Sequence, residues 1–207
     1  MSTTQDAILE LARHQGVIRP LDLKAGGLPR ISLTRLVQQG RLARVGRGLY
    51  ALPERAFTEH AALAEVACRH PRAVVCLLSA LRFHELTTQA PFEVWLAIPS
   101  KARPPRLDDP PLRIVRFSEP ALIEGVEEHR IDGVPVRITG VARTVADCFK
   151  YRHKIGLDVA LEALKEVLRV PGGQGGRADR VSIDELWRYA ELDRVAKVMR
   201  PYLECLV

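Results

Sequence analysis

The segment that decides the fold of the first quarter of the chain is PRISLTRLVQQGRLARVGRGLYAL, residues 29–52. Apolar residues recur at helical spacing after Pro29, and the run ends at Gly40, which predicts a short helix. Residues 42–45 and 49–52 are short β-prone runs on either side of a Gly-Arg-Gly turn, which predicts a β-hairpin. The segment therefore predicts a helix followed directly by a hairpin.

Two further helices are predicted upstream of this segment. Thr4 can cap a helix that ends before Gly16, and Pro20 can begin a second one that stops at Gly26. Helices this short are marginal alone, so the three must pack together. Three helices and a hairpin in this order are typical of a winged helix-turn-helix, and we predict that residues 1–55 form a DNA-binding domain.

The distribution of charge supports a nucleic-acid partner. The chain of 207 residues has a formal net charge of +6, but residues 1–55 hold nine Lys and Arg against four acids, a net charge of +5. Such a basic segment favours a polyanion, here double-stranded DNA.

The polar positions of the third helix and the arginines of the hairpin are the candidate DNA-binding residues. Arg and Gln read base edges in the major groove, whereas hairpin arginines contact phosphates or the minor groove. The alternative to DNA binding is a solvated face for the helix positions and, for Arg44, a salt bridge within the domain. Ile31, Leu33, Leu36 and Val37 are the apolar candidates of the helix. The candidates are Arg30, Ser32, Thr34, Arg35, Gln38, Gln39, Arg41, Arg44 and Arg47.

Residues 57–207 predict a second, mixed α/β domain with a helical C-terminal end, so the fold class is α+β. Strands are expected at 92–98 and 112–117, and a hairpin is expected around Asp132-Gly133. Pro135 places its strand at a sheet edge. Helices are predicted at 58–67, 76–84, 141–149 and 158–168.

The C-terminal end is predicted to hold a linker and a last helix. A Gly-rich linker is expected at 171–178, and it lacks the Lys-Ser/Thr of a phosphate-binding loop. Ser182 and Glu185 form a capping box that opens the last helix, which Pro201 should kink or restart.

The residues that could suggest an enzyme lack the sequence context that catalysis needs. Ser79, His84 and Asp147 are the residue types of a nucleophilic triad, but Ser79 lacks the G-x-S-x-G context. Asp108-Asp109 has no strand-end lysine partner of the kind that a metal-dependent nuclease needs. The four cysteines lie far apart, so no metal site is expected. We predict no catalytic residues and no cofactor.

No apolar run is long enough to span a bilayer, and the first residues lack a signal-peptide pattern. A cytoplasmic protein that does not contact membranes is therefore expected.

Several motifs together resemble the AbiEi-type antitoxin family. They are L-x-x-L-V-x-x-G-R-L-x-R-V-G-R-G-L-Y from Leu33 to Tyr50, LLSALRFHELT from Leu77, PFEVWLAIP from Pro91, and VARTVADCFKYRHKIG from Val141. The block DVALEALKEVL follows from Asp158, and RPYLE lies near the end. The resemblance covers essentially the whole chain, apart from the segment Gly172–Gly176.

This resemblance implies an antitoxin of a type IV toxin–antitoxin system. It implies that the N-terminal domain represses its operon by binding inverted repeats, and that the second domain counters a nucleotidyltransferase-like toxin without forming a stable complex. The alternatives are a regulator without antitoxin activity and a DNA-linked, metal-dependent nuclease.

A basic cluster at one helix end is the candidate antitoxin surface. Arg143 and Asp147 are also spaced as an i,i+4 ion pair, and cations suit a helix C-terminus, so a purely structural reading is adequate too. The candidate surface residues are Arg143, Lys150, Arg152 and Lys154.

Overall fold

The computed structural model describes residues 4–46, 48–54, 59–107, 109–169 and 181–206. It has an α+β fold that divides into two compact units. The first unit comprises Met1–Pro71 and His129–Val136, and the second comprises Arg72–Glu128 and Arg137–Val207. The first unit is therefore larger than the predicted segment 1–55.

The first unit contains the predicted winged helix-turn-helix. Its elements are α1 (Thr4–Gln15), α2 (Pro20–Ala25), α3 (Ile31–Gln38), β1 (Ala43–Gly46), β2 (Leu49–Ala51) and α4 (Ala61–Arg69). Strands β1 and β2 pair antiparallel, and Ile18 exchanges two backbone hydrogen bonds with Tyr50. The three-helix core is closed by apolar side chains that include Ile8, Leu23, Leu33 and Leu36.

The second unit is built around a mixed sheet. The strands are β3 (Val74–Val75), β4 (Val94–Pro99), β5 (Leu112–Phe117), β6 (Val126–Ile131) and β7 (Val134–Thr139), in the order β5-β4-β3-β7-β6. Strand β3 pairs antiparallel with β4 and parallel with β7, and β4 pairs parallel with β5. The tip of the β6–β7 hairpin, residues 129–136, belongs to the first unit.

Helices complete the second unit. They are α5 (Leu77–Phe83), a 3-10 helix (Pro120–Leu122), α6 (Val141–Lys150), α7 (Arg152–Ile155), α8 (Leu157–Leu168), α9 (Ile183–Leu192) and α10 (Ala196–Leu206). Helix α6 is buried along nearly its whole length and packs against α5, α8 and α9. It is the central helix of this core.

Two expectations from the sequence are wrong. Pro135 does not mark an edge, because β7 lies between β3 and β6. Strand β3 is only two residues long and meets β7 at Ile138, so Pro135 lies where β7 has no partner on that side. The C-terminal end forms two helices that are separated near Asp193, and Pro201 lies inside α10. The predicted linker 171–178 lies outside the described residues.

Candidate nucleic-acid interface

One face of α3 is exposed, and the opposite face is buried. The exposed side chains are Ile31, Thr34, Arg35 and Gln38, which are spaced i, i+3, i+4 and i+7 and therefore form one stripe along the helix. Leu33 and Leu36 are buried in the three-helix core. The helix is thus fixed by one face and presents the other to solvent.

The end of α3 is sharply defined by a glycine. Gly40 adopts a φ of +69°, and the backbone N–H groups of Arg41 and Leu42 both donate to the carbonyl of Leu36. A left-handed residue after a helix lets the following amides satisfy its last carbonyls. The chain therefore leaves α3 directly into the wing.

The predicted residues of α3 do not all share the exposed face. Arg30, Thr34, Arg35, Gln38 and Gln39 are exposed. Ser32, in contrast, is only 6% exposed and lies on the buried side of the helix. Its hydroxyl is therefore unsuited to reading a base.

The wing arginines differ in their surroundings. Arg41 is exposed and lies near α1, with its Nη2 atom 3.6 Å from Asp6 Oδ1. The exposed Arg44 donates from Nε to the carbonyl of Gly46 at 3.3 Å, a bond within the wing. Arg47 lies outside the described residues.

Part of the positive charge of the first unit is structural. Arg19 donates three hydrogen bonds to the carboxylate of Asp22, from its backbone N–H, Nε and Nη2 at 2.7, 3.2 and 2.9 Å. These bonds close the first turn of α2. Its Nη1 donates to the carbonyl of Cys68 in α4 at 2.9 Å. Lys24, Arg30 and Arg35 are exposed and form no ion pair with a described residue. These three cations remain available to a polyanion.

A hollow of about 510 Å³ lies beside the N-terminal end of α3. Two of its lining residues are cationic and the rest are apolar or glycine. It is lined by Pro20, Leu21, Lys24, Gly27, Leu28 and Arg30.

Sequence reasoning missed the exposure of Ile31. It grouped Ile31 with the apolar candidates, yet this side chain is 58% exposed. Helical spacing from the buried Leu33 and Leu36 was the signal that could have separated it, since Ile31 falls on the stripe of Thr34 and Arg35.

In the second unit, Arg143 is not a surface residue. Its side chain is fully buried, because α6 is the central helix of the core. Its Nε and Nη2 atoms lie 3.1 and 3.2 Å from the carboxylate oxygens of Asp147, so the predicted i,i+4 pair is present. Nη2 also lies 3.3 Å from Asp193 Oδ1.

We call Arg143, Asp147, Asp193 and Lys150 the buried ionic cluster. Lys150 joins it through Nζ, 2.8 Å from Asp193 Oδ1. Burial and the negative charge of Asp193 raise the pKa of Asp147 well above its ordinary value, and Arg143 opposes that shift. No local pattern in the sequence marks Asp193, which is 50 positions away from Arg143.

The remaining candidates of the antitoxin surface are accessible to different degrees. Lys150 is partly exposed but bound to Asp193. Arg152 is half-buried and donates from Nη1 to the carbonyl of Phe149. Lys154 is exposed, with Nζ 5.6 Å from the centre of the Tyr151 ring. Lys154 is therefore the cation of this set most open to a partner.

The three residues considered as a nucleophilic triad have separate partners. Ser79 Oγ accepts a hydrogen bond from the backbone N–H of Trp95, and His84 Nε2 lies 2.7 Å from the carbonyl of Thr139. Asp147 is held by Arg143. Within the described residues, no group of three or more His, Cys, Asp or Glu could hold a metal ion. Of the nuclease candidates, Asp108 lies outside those residues.

No helix in the described part of the chain combines the length and apolarity that a membrane span requires.

Comparisons with known proteins show which family and which fold the chain resembles. The whole fold resembles the crystal structure of the RV2827C protein from Mycobacterium tuberculosis, with a TM-score of 0.53 and 17% identity over 92% of this chain and 72% of that chain. None of the curated proteins matches the chain. Residues 6–53 match the family AbiEi_4, described as a transcriptional regulator and AbiEi antitoxin. This segment, which spans α1 to β2, is thus similar to the AbiEi antitoxin family of transcriptional regulators, the family that its motifs resemble.

Proposed function

We propose that the protein is a DNA-binding transcriptional repressor that reads its operator with the exposed stripe of α3. The stripe itself carries the proposal: Arg35 and Gln38 offer the two side-chain types that bind guanine and adenine edges bidentately. Lys24 and Arg30, which form no ion pair with a described residue, lie beside it and suit the phosphate backbone.

The wing supports this reading. Arg44 is exposed on β1, next to a turn that would approach the backbone or the minor groove when α3 lies in the major groove. Arg41 is held near Asp6 by a solvent-exposed pair, which costs little to break and leaves the arginine free to move to a phosphate.

DNA binding can be tested with the full-length protein and a duplex selected from a random-sequence pool. Arg35→Ala and Gln38→Ala should each weaken binding to the selected duplex by about 1–3 kcal/mol and relax base preference. Binding to scrambled DNA should be affected less. Arg169→Ala, which changes an exposed arginine of the second unit, is the matched control and should leave both affinities unchanged. Equal losses on both duplexes would show that α3 does not read sequence.

We further propose that the protein represses its own operon and counters a nucleotidyltransferase-like toxin through its second unit. The family match and the motifs of α6 support an antitoxin role. Lys154 is the best-placed candidate for that activity, since it is exposed and carries no described ion pair.

The proposed antitoxin activity is tested by co-expression with a nucleotidyltransferase, where a reading frame beside this gene encodes one. Lys154→Glu should reduce rescue of growth while repression of an operator–reporter stays intact. Arg169→Glu again serves as the control, since it makes the same charge change at another exposed position. If the wild-type protein represses the reporter but never rescues growth, the protein is a regulator without antitoxin activity.

A further inference from the structure

The exposed stripe of α3 is chemically divided along its length. Its first turn presents methyl groups, from the side chains of Ile31 and Thr34, whereas its second half presents the guanidinium of Arg35 and the amide of Gln38. Ile31 is 58% exposed, which is unusual for a large apolar side chain on a helix whose other face is buried. The packing of the unit gives no reason for an isoleucine at this position.

A second exposed apolar side chain lies at the same end of the helix pair. Leu21 of α2 is 66% exposed and lines the hollow together with Arg30, the residue before Ile31. Leu21 and Ile31 are the exposed large apolar side chains among the residues of the first unit that the structure describes. The apolar surface of this unit is thus concentrated where α3 begins.

The surrounding charges favour one kind of partner for this surface. Lys24, Arg30 and Arg35 flank it and form no ion pair with a described residue. A symmetric contact with a second copy would bring these cations against their own equivalents, which disfavours self-association there. A polyanion with an apolar group fits both features. In the major groove of DNA, that group is the 5-methyl of thymine.

We propose that Ile31 contacts the 5-methyl group of a thymine in the operator and is a specificity-determining residue of the repressor. This inference rests on the proposed DNA-binding function. It places the methyl contact at the N-terminal turn of α3, where recognition helices of this type meet base edges, and it predicts preference for thymine over cytosine at that position.

The test replaces each thymine of the selected duplex, one at a time, by deoxyuridine, which lacks only the methyl group. For the full-length wild-type protein, deoxyuridine at one thymine position should lower the affinity about fourfold for each copy of α3 bound, the effect expected for one buried methyl group. Ile31→Ala should bind the thymine duplex more weakly and should be indifferent to deoxyuridine at that position. Because Ile31 is exposed, the variant should keep the wild-type melting temperature.

Ile123→Ala is the matched control, since Ile123 is also an exposed isoleucine, 73% accessible, but lies in the second unit. It should keep the full sensitivity to deoxyuridine. The inference is overturned, with the DNA-binding function intact, if no thymine is sensitive or if Ile31→Ala stays as sensitive as the wild type. Loss of sensitivity in Thr34→Ala alone would assign the methyl contact to Thr34 and overturn it as well. Failure to select any duplex would overturn the proposed function itself.

Discussion

Arg143 holds two carboxylates in the interior of the second unit with a single guanidinium. Asp147 and Asp193 both lie within 3.3 Å of its Nη2 atom, and all three side chains are essentially excluded from solvent. The Cζ atom of Arg143 lies 5.7 Å from the centre of the Phe117 ring and 5.9 Å from the centre of the Tyr189 ring. Removing water from such charges is costly, and the arrangement is tolerable only because each charge has its partner.

We expect Arg143→Met to destabilise the protein by about 3–5 kcal/mol, because it leaves two buried carboxylates with only Lys150 to balance them. Arg188→Met is the matched control, since Arg188 pairs with Glu124 at the surface and its loss should cost less than about 1 kcal/mol. Urea unfolding of both variants measures the difference. Equal stabilities would contradict a structural role of the cluster.

Asp147 should make stability depend on pH in a defined direction. Its pKa is raised in the folded protein by burial and by Asp193, so the protonated form favours folding. That contribution is complete below the unfolded pKa, about 4, and is lost as pH rises through the folded pKa.

We therefore expect the unfolding free energy of the wild type to fall relative to that of Asp147→Asn as pH rises from about 4. A single proton limits this change to about 1.4 kcal/mol per pH unit. Denaturant unfolding of both proteins at several pH values gives the difference directly. A difference that grows in favour of the wild type with rising pH would contradict the raised pKa.

At the scale of elements, the sequence predicted the features that depend on local backbone conformation, such as helix ends and turns. The end of α3 at Gly40 and the hairpin turn at Gly133 both follow from the need for a positive φ, and the structure has glycine in that conformation at each position. The helical spacing of apolar residues likewise located most of the helices. Fold class and the winged helix-turn-helix could therefore be predicted from sequence.

Features that depend on distant partners could not be predicted. Strand β3 has two residues and exists because β4 and β7 lie on either side of it. The inner strand β7 can contain Pro135 only because β3 is too short to reach it and pairs with β7 at Ile138 instead. The role of Asp193 likewise depends on which helices pack together, which no local pattern encodes.

Helix α9 offers a test of a local signal. Ser182 Oγ accepts a hydrogen bond from the backbone N–H of Glu185 at 3.1 Å, so Ser182 is the N-cap, as its spacing to Glu185 predicts. Ser182→Ala should destabilise the protein by about 0.5–2 kcal/mol, whereas Ser182→Asp should retain the cap. Thermal unfolding compares the two, and equal losses in both variants would argue against capping as the cause.

At the scale of the whole molecule, the first unit is discontinuous in sequence. Its second piece is the hairpin tip His129–Val136, which meets the end of α1 at a glycine. Gly133 has a φ of +79°, and a Cβ atom there would lie 2.1 Å from the carbonyl oxygen of Gln15. Only glycine allows this approach.

Gly133→Ala should therefore destabilise the first unit by more than the roughly 1–2 kcal/mol of left-handed strain alone, because the added carbon also collides with backbone. Gly40→Ala is the control, since Gly40 has a similar φ of +69° with nothing within 4 Å of a Cβ atom. Hydrogen exchange at amides of α1 would report the loss. Equal effects of the two substitutions would mean that the hairpin tip does not support α1.

The divided sequence of the first unit also sets an order of events during synthesis. A chain emerges from its N-terminus, and domains generally fold as their residues appear. Here α1, α2, α3 and the wing emerge early, but the piece that completes their unit ends only at Val136, after most of the strands of the second unit have been made. A message cut short between the two pieces would encode every residue proposed to contact DNA and still yield no finished DNA-binding unit.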